Sequence, residues 1–269
     1  MPRLLAPDEP PPFEILNPNA ASPWAINCDH ASNRVPRCLG TLGLSDAERA
    51  RHIGWDIGAA AVTRGLVARL DAWAILQNYS RLVIDCNRRP DVASSIPERS
   101  ENTAVPGNIG LSAEARLLRQ REVFQPYHAA IVATLDARAK AGQHTLLVAM
   151  HSFTPIYDGV YRPMQAAVLY NRDARLAKAL YHRLCAEPGL VVGDNEPYHV
   201  ADDTDYAVPV HAEPRGLAHV EIEIRQDLIA DAAGQAEWTE RFARLLPLAA
   251  ADAGVIELGG RTPPCEFRP

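Results

Sequence analysis

The 269-residue chain is 47% hydrophobic and 22% charged, the composition of a soluble globular protein with a real core, and long enough for one large α/β domain or two small ones. Its net charge of −6, with no basic block or stripe, argues against a nucleic-acid partner. No stretch approaches the ~20 apolar residues that span a bilayer, so no membrane partner is expected. Five scattered cysteines (Cys28, Cys38, Cys86, Cys185, Cys265) form no C-x-x-C pair and point to a reducing, cytoplasmic location. With one Arg and no apolar core at the N-terminus, no signal peptide is expected.

Residues 1–23 are rich in proline, which removes ladder donors, so they read as an extended surface arm that only Phe13, Ile15 and Leu16 could dock. The main domain is taken as residues 24–269. Trp24-Ala25-Ile26-Asn27-Cys28 reads as a buried strand that ends abruptly in Asp29-His30-Ala31-Ser32-Asn33. Ligands bind at such carboxyl ends in open α/β sheets, although an ordinary hydrogen-bonded His also explains His30. Ser45-Asp46-Ala47-Glu48 opens a helix with an N-cap and an acidic first turn. Residues 59–70 carry apolar Ala59, Val62, Leu66, Val67 and Leu70 at helical spacing, which puts Asp56 at a helix start, where a simple cap is the plainer reading.

Residues 73–77 and 82–86 read as strands, the second ending in Asp85-Cys86-Asn87-Arg88. Residues 91–111 read as a long aperiodic loop, of a length that tends to cover a site. Residues 112–141 are the longest helix candidate, capped by Ser112 and kinked or divided by Pro126. A strand over 145–150 ends in His151-Ser152-Phe153-Thr154-Pro155. A strand over 165–170, a helix over 174–185 capped by Asp173, and a strand from Val191 into a polar loop follow. Residues 220–225 alternate with period two, placing Glu221, Glu223 and Arg225 on one face and Val220, Ile222 and Ile224 on the other. A helix over 237–253 closes the chain. Alternating strands and helices without a repeat or linker predict one α/β domain on a mostly parallel sheet.

His30 and His151 at two strand ends, with Asp56 at a helix start, match a three-ligand catalytic zinc site that keeps a position open for water. A nearby glutamate that is not a ligand can take the water proton and pass it to a leaving nitrogen. The Asn87-Arg88 pair suits a substrate carboxylate, since a guanidinium meets that anion in a two-pronged geometry.

The segments Cys28-Asp29-His30-Ala31-Ser32-Asn33, Gly54-Trp55-Asp56-Ile57-Gly58-Ala59, Ser80-Arg81-Leu82-Val83-Ile84-Asp85-Cys86-Asn87-Arg88, His151-Ser152-Phe153-Thr154-Pro155 and Glu221-Ile222-Glu223-Ile224-Arg225 together resemble the N-formylglutamate amidohydrolase family. Any one is a weak signal, but the five run in order, and the resemblance extends from about Trp24 to Leu246. It implies a single α/β domain with a mixed, mostly parallel central sheet flanked by helices, zinc-carboxypeptidase-like in the phosphorylase/hydrolase-like manner. It also implies Zn2+ or another divalent metal and hydrolysis of an N-acyl amino acid. The expected partner is a small anionic N-acyl amino acid, and a homo-oligomer is compatible with the sequence.

Carboxypeptidases supply two ligands from one H-x-x-E unit, whereas here His30 is followed by Asn33, so Asp56 is taken as the third ligand and Asp29 is its rival. Glu223 is preferred to Glu221 as the base, being nearer the strand's carboxyl end and in the E-x-R pair. Arg215 looks like a family position that neutralises the oxyanion or holds a second carboxylate. Arg225 and Asn33 join Asn87 and Arg88 as substrate-binding candidates, and His211 is read as fixing its loop. Arg81 and Arg34 are candidates to shape an anionic pocket, with surface or supporting roles as the plainer reading. Two rival readings are a carboxypeptidase-like hydrolase and a metal-free binding protein on the same fold.

Overall fold

The computed structural model describes residues 3–256, so Cys265 lies outside the described residues. The strands are β1 (Phe13–Leu16), β2 (Trp24–Cys28), β3 (Trp73–Gln77), β4 (Arg99–Ser100), β5 (Thr103–Ala104), β6 (Leu146–Phe153), β7 (Ile156–Tyr157), β8 (Val160–Tyr161), β9 (Ala166–Leu169), β10 (Val192–Asp194) and β11 (His219–Arg225). The α-helices are α1 (Asp46–Arg49), α2 (Ala59–Leu70), α3 (Ala113–Arg119), α4 (Gln125–Lys140), α5 (Arg175–Cys185) and α6 (Ala232–Asp252). Seven strands form one sheet in the order β1-β3-β2-β6-β11-β9-β10, while β4-β5 and β7-β8 are separate hairpins.

The three central strands β2, β6 and β11 run parallel, so their carboxyl ends open on one side. β3 and β10 add further parallel pairs, whereas β1 pairs antiparallel with β3 and β9 antiparallel with β11. The mixed, mostly parallel sheet therefore agrees with the sequence reading. Alternation along the strands divides the core in two. Trp24, Ile26, Val148, Met150, Ile222 and Ile224 pack on one face against Val62, Leu66, Leu180 and Phe242 of α2, α5 and α6. Ala25, Ile75 and Leu147 pack on the other face against Tyr127, Ile131 and Leu135 of α4. Along β11, Val220, Ile222 and Ile224 belong to the first face, and Glu221 and Glu223 alternate with them.

Several elements depart from expectation. Residues 82–86 are buried but form turns and not a strand. Arg119 Nη1 donates to the Val83 carbonyl (2.9 Å) and Asn108 Nδ2 to the Leu82 carbonyl (2.9 Å), so side chains do what a neighbouring strand would otherwise do. The proline-rich segment supplies β1, with Phe13 opposite Gln77 and Leu16 opposite Ala74, and Leu4 is buried. The expected loop over 91–111 contains the β4-β5 hairpin. Helix 112–141 is divided as Pro126 requires: α3 passes through a π-helical turn over Gln120–Phe124 into α4, where the proline sits in the first turn. α6 begins five residues before 237, at Ala232, because the Asp231 side chain accepts from Gly234 N (2.9 Å) and caps it.

Gly58 starts α2 at φ 82°, and a Cβ there would lie 2.2 Å from the Ile229 carbonyl oxygen. Gly58→Ala is expected to cost about 2–4 kcal/mol through backbone strain and the clash. A urea titration should give a lower midpoint at unchanged slope; an unaltered midpoint would contradict this packing.

Candidate active site

The loop after β2 turns so that the His30 carbonyl accepts from Asp56 N (2.9 Å), which ties it to the segment entering α2. Two more bonds staple that segment: Ser80 Oγ donates to Gly54 O (2.7 Å) and Ser152 Oγ to Ile57 O (2.9 Å). Asp56 is thereby fixed two residues ahead of Gly58, which is the N-cap, and its carboxylate is free of any capping task. Its Oδ2 lies 3.2 Å from His30 Nδ1 and 2.9 Å from His151 Nδ1, and also accepts from Ser152 N (3.3 Å). The two imidazoles stand 5.0 Å apart at 62°. All three residues are buried, and one donor atom of each lies within 4.8 Å of the others. Two ring nitrogens and a carboxylate oxygen converging at the carboxyl end of a sheet are a donor set that fits a divalent cation. The sequence-predicted trio is thus brought together.

Each imidazole has an acid behind it. His30 Nε2 meets Asp85 Oδ1 at 2.7 Å, and Asp85 Oδ2 accepts from Arg81 Nε (3.0 Å) and Nη2 (2.7 Å). His151 Nε2 lies 3.7 Å from Asp29 Oδ2, and Tyr127 donates its hydroxyl to Asp29 Oδ1 (2.6 Å). Asn27 Nδ2 also donates to the Asp29 oxygens, at 3.1 and 3.0 Å. Asp29, the rival ligand, therefore faces the far nitrogen of His151. Outer carboxylates of this kind fix the ring orientation and tautomer of ligating histidines.

Burial opposes ionisation of Asp56, but the charges and hydrogen bonds of His30 and His151 outweigh it and hold the carboxyl well below the usual range. Burial works the same way on Asp85, whose carboxyl Arg81 and His30 hold low. Against burial, Glu221 and Asp56 keep His151 well above its ordinary value. Burial and Arg81 oppose a charged His30, yet Asp85 and Asp56 raise it. A bound cation would compete with those protons for the imidazole nitrogens.

β11 places Glu223 directly opposite His151 in register and Glu221 opposite Ala149. Burial, countered only in part by His151, pushes the Glu223 carboxyl up to about 8, and Glu221 is raised for the same reason. Glu223 Oε2 has no hydrogen-bond partner among the described residues. Both glutamates line a cleft of about 400 Å³ together with His30, Asp56 and His151.

Asn87 and Arg88 also line this cleft. Arg88 Nη1 donates to Asn87 O (2.9 Å) and to the Asp205 carboxylate, while Asn87 Oδ1 accepts from Ala207 N (3.0 Å). Four expected residues are absent from the cleft wall. Arg215 points away and donates from Nη2 to Asp136 on α4 (2.9 Å), because the turn over Glu213–Arg215 carries it to the outer face. Arg225, at the last position of β11, turns out of line to bind Asp227 through Nε (2.8 Å) and the Tyr161 hydroxyl (3.1 Å). Asn33 does not line the cleft, nor does Arg34. Arg81 does line it. His211 packs against His128, its Nε2 lying 2.8 Å from His128 Nδ1, as a residue that fixes its loop would.

Sequence reading missed Asp85, Asp205 and Tyr198. Asp85 stood inside a quoted motif as an acid at a polar tip, which is the signal that could have found it. Asp205 and Tyr198 come from the long segment between β10 and β11, where no periodicity exists to orient a side chain.

Glu223 yields a test. A carboxyl raised from 4.5 to about 8 in the fold keeps its proton where the unfolded chain loses it. Its contribution to stability is therefore fully present below pH ~4.5 and lost as the pH rises through about 8. Urea midpoints of chelator-treated protein should fall over that window, and Glu223→Gln should flatten the fall; an equal slope in both proteins would refute the assignment.

No curated protein matches the sequence. Among solved structures, a gene product of Agrobacterium tumefaciens is 35% identical with a TM-score of 0.91, covering 94% of this chain and 100% of its own. The N-formylglutamate amidohydrolase of Ralstonia eutropha JMP134 is 19% identical with a TM-score of 0.68, covering 91% of this chain and 99% of its own, a likeness of fold. Residues 22–230, most of the chain, match the family described as N-formylglutamate amidohydrolase, and it is to this family that the chain belongs.

Proposed function

We propose that the protein is a zinc-dependent amidohydrolase that cleaves the linear amide of an N-formyl or other short N-acyl amino acid, releasing the free amino acid and a carboxylic acid. The reading is carried by the His30–Asp56–His151 cluster lying beside Glu223, the register partner of His151. His30, Asp56 and His151 are the residues to hold Zn2+ or a similar divalent ion. An ion held by these residues would supply Lewis-acid polarisation of the acyl carbonyl and acidification of water.

The remaining roles fall to side chains of the cleft. Glu223 takes the proton from the attacking water and delivers it to the amide nitrogen as the carbon–nitrogen bond breaks. A carboxyl brought near neutrality suits both steps. Glu221 is the weaker candidate. Glu221 Oε2 accepts from Asn87 Nδ2 (3.5 Å) and faces Ala149 in register, whereas Glu223 faces His151 and its Oε2 is unpartnered among the described residues. Arg88, its carbonyl neighbour Asn87 beside it, takes the substrate carboxylate, with Asp205 as the resident partner it turns from.

Purified protein should contain stoichiometric zinc, and chelation or His151→Ala should remove both zinc and amine release from N-formyl, N-acetyl and N-succinyl amino acids. Zinc without turnover of any of them would sink the reaction; turnover without metal would sink the mechanism. Glu223→Gln should retain zinc while kcat falls by at least ~10²-fold, and Glu221→Gln should lose far less.

Arg88→Lys keeps the charge but loses the fork, so KM should rise more than kcat falls. Equal activity toward the corresponding carboxamide substrates would instead give Arg88 a structural role.

A further inference from the structure

Arg215, the expected oxyanion donor, is occupied with Asp136 outside the cleft. Meeting charge on an acyl oxygen requires a donor that faces the cleft and still has a hydrogen to give. Arg81 spends Nε and Nη2 on Asp85, and its Nη1 lies 3.5 Å from Asp56 Oδ1. Arg88 spends Nη1 on Asn87 O and Asp205, and its remaining N–H groups are the ones the reading above gives to the substrate carboxylate.

Tyr198 differs. It lines the cleft, and its hydroxyl oxygen accepts from Arg162 Nη1 at 2.7 Å. No acceptor among the described residues takes the hydroxyl's own hydrogen. Arg162 is itself clamped: its guanidinium lies 4.7 Å from the ring centroids of both Tyr157 and Tyr198 and 6.0 Å from that of Phe153. No carboxylate among the described residues pairs with it, so its charge is directed at the phenol oxygen and the rings. A phenol that receives a hydrogen bond from a fixed cation gives a stronger one in turn.

Its place in the cleft is set by its surroundings. Tyr198 lines the same cleft as His30, Asp56, His151, Glu223 and Arg81. Partial burial, with the Glu223 carboxylate, raises the phenol above its ordinary value, so its proton stays on.

We propose that the Tyr198 hydroxyl, oriented by Arg162, donates a hydrogen bond to the acyl oxygen of the scissile amide while Arg88 holds the substrate carboxylate; this rests on the amidohydrolase reading above. Tyr198 touches the reacting group, and Arg162 is a positioning residue.

The test compares zinc-loaded wild type, Tyr198→Phe, Arg162→Met and the double variant on the best N-formyl amino acid. Tyr198→Phe should keep its zinc and lose about 10- to 100-fold in kcat with KM altered less than about threefold. Arg162→Met should lose about three- to tenfold and add little to Tyr198→Phe. A Tyr198→Phe enzyme within about twofold of wild type in kcat overturns the proposal, and losses that multiply independently overturn the part given to Arg162.

A second arm needs no turnover. Acetate, a product-like carboxylate, is titrated into the zinc-loaded proteins and followed by tyrosine difference absorbance. Wild type should give a tyrosine signal that Tyr198→Phe lacks, and the variant should bind acetate about five- to tenfold more weakly. If wild type cleaves no N-acyl amino acid, the reaction class falls, yet this arm still decides: equal acetate affinity overturns the Tyr198 assignment.

Discussion

One carboxylate oxygen, Asp56 Oδ2, is shared by two buried imidazoles and a backbone amide, and the site is built around that meeting point. Burying charge is costly unless each ion is matched, and breaking such a match by removing one partner typically costs ~3–5 kcal/mol. The surrounding residues read as the solution to that constraint. Asp85 balances His30, Arg81 balances Asp85, and Tyr127 with Asn27 satisfies Asp29 behind His151. These partners come from β2 and the loop after it, the turns over 81–86, and α4, so the second face of the sheet is organised by electrostatic accounting as much as by apolar packing.

The same constraint governs the cationic side chains of the cleft. Arg81 and Arg88 each enter with a resident carboxylate, Asp85 and Asp205. An incoming anion therefore exchanges partners with an existing pair and does not neutralise a bare charge, which trades affinity for selectivity by geometry. Arg162 is held differently, by aromatic faces and a phenol, and stays a net cation at the cleft's rim.

What was legible in the sequence follows from what local patterns encode. β2, β3 and α2 were read at their observed boundaries because period and flanking polar residues coincide there. The alternation over 220–225 gave the correct faces, so Glu221 and Glu223 were found. Residues 82–86 carry the same apolar, β-branched content as a strand. What made them turns was the reach of Arg119 and Asn108, more than twenty residues away, to their carbonyls. Arg215 and Arg225 failed for a related reason: motif position says which residue is present, while the acid it turns toward is set by folding. Asp136 and Asp227 claimed them. Tyr198 lay in an aperiodic segment that offered nothing to read.

The pairing of β1 with β3 has a bearing on assembly. A sheet's outer strands are templates for further strands, and short, charged or proline-flanked edges blunt that tendency. Here one edge is the four-residue β1, bounded by Pro12 and Pro18 and carrying Glu14 in an ion pair with Arg64. The opposite edge is the three-residue β10, whose Asp194 binds Lys178. Among the described residues both edges are therefore short, charged ladders, the kind that disfavours the addition of a strand from another copy.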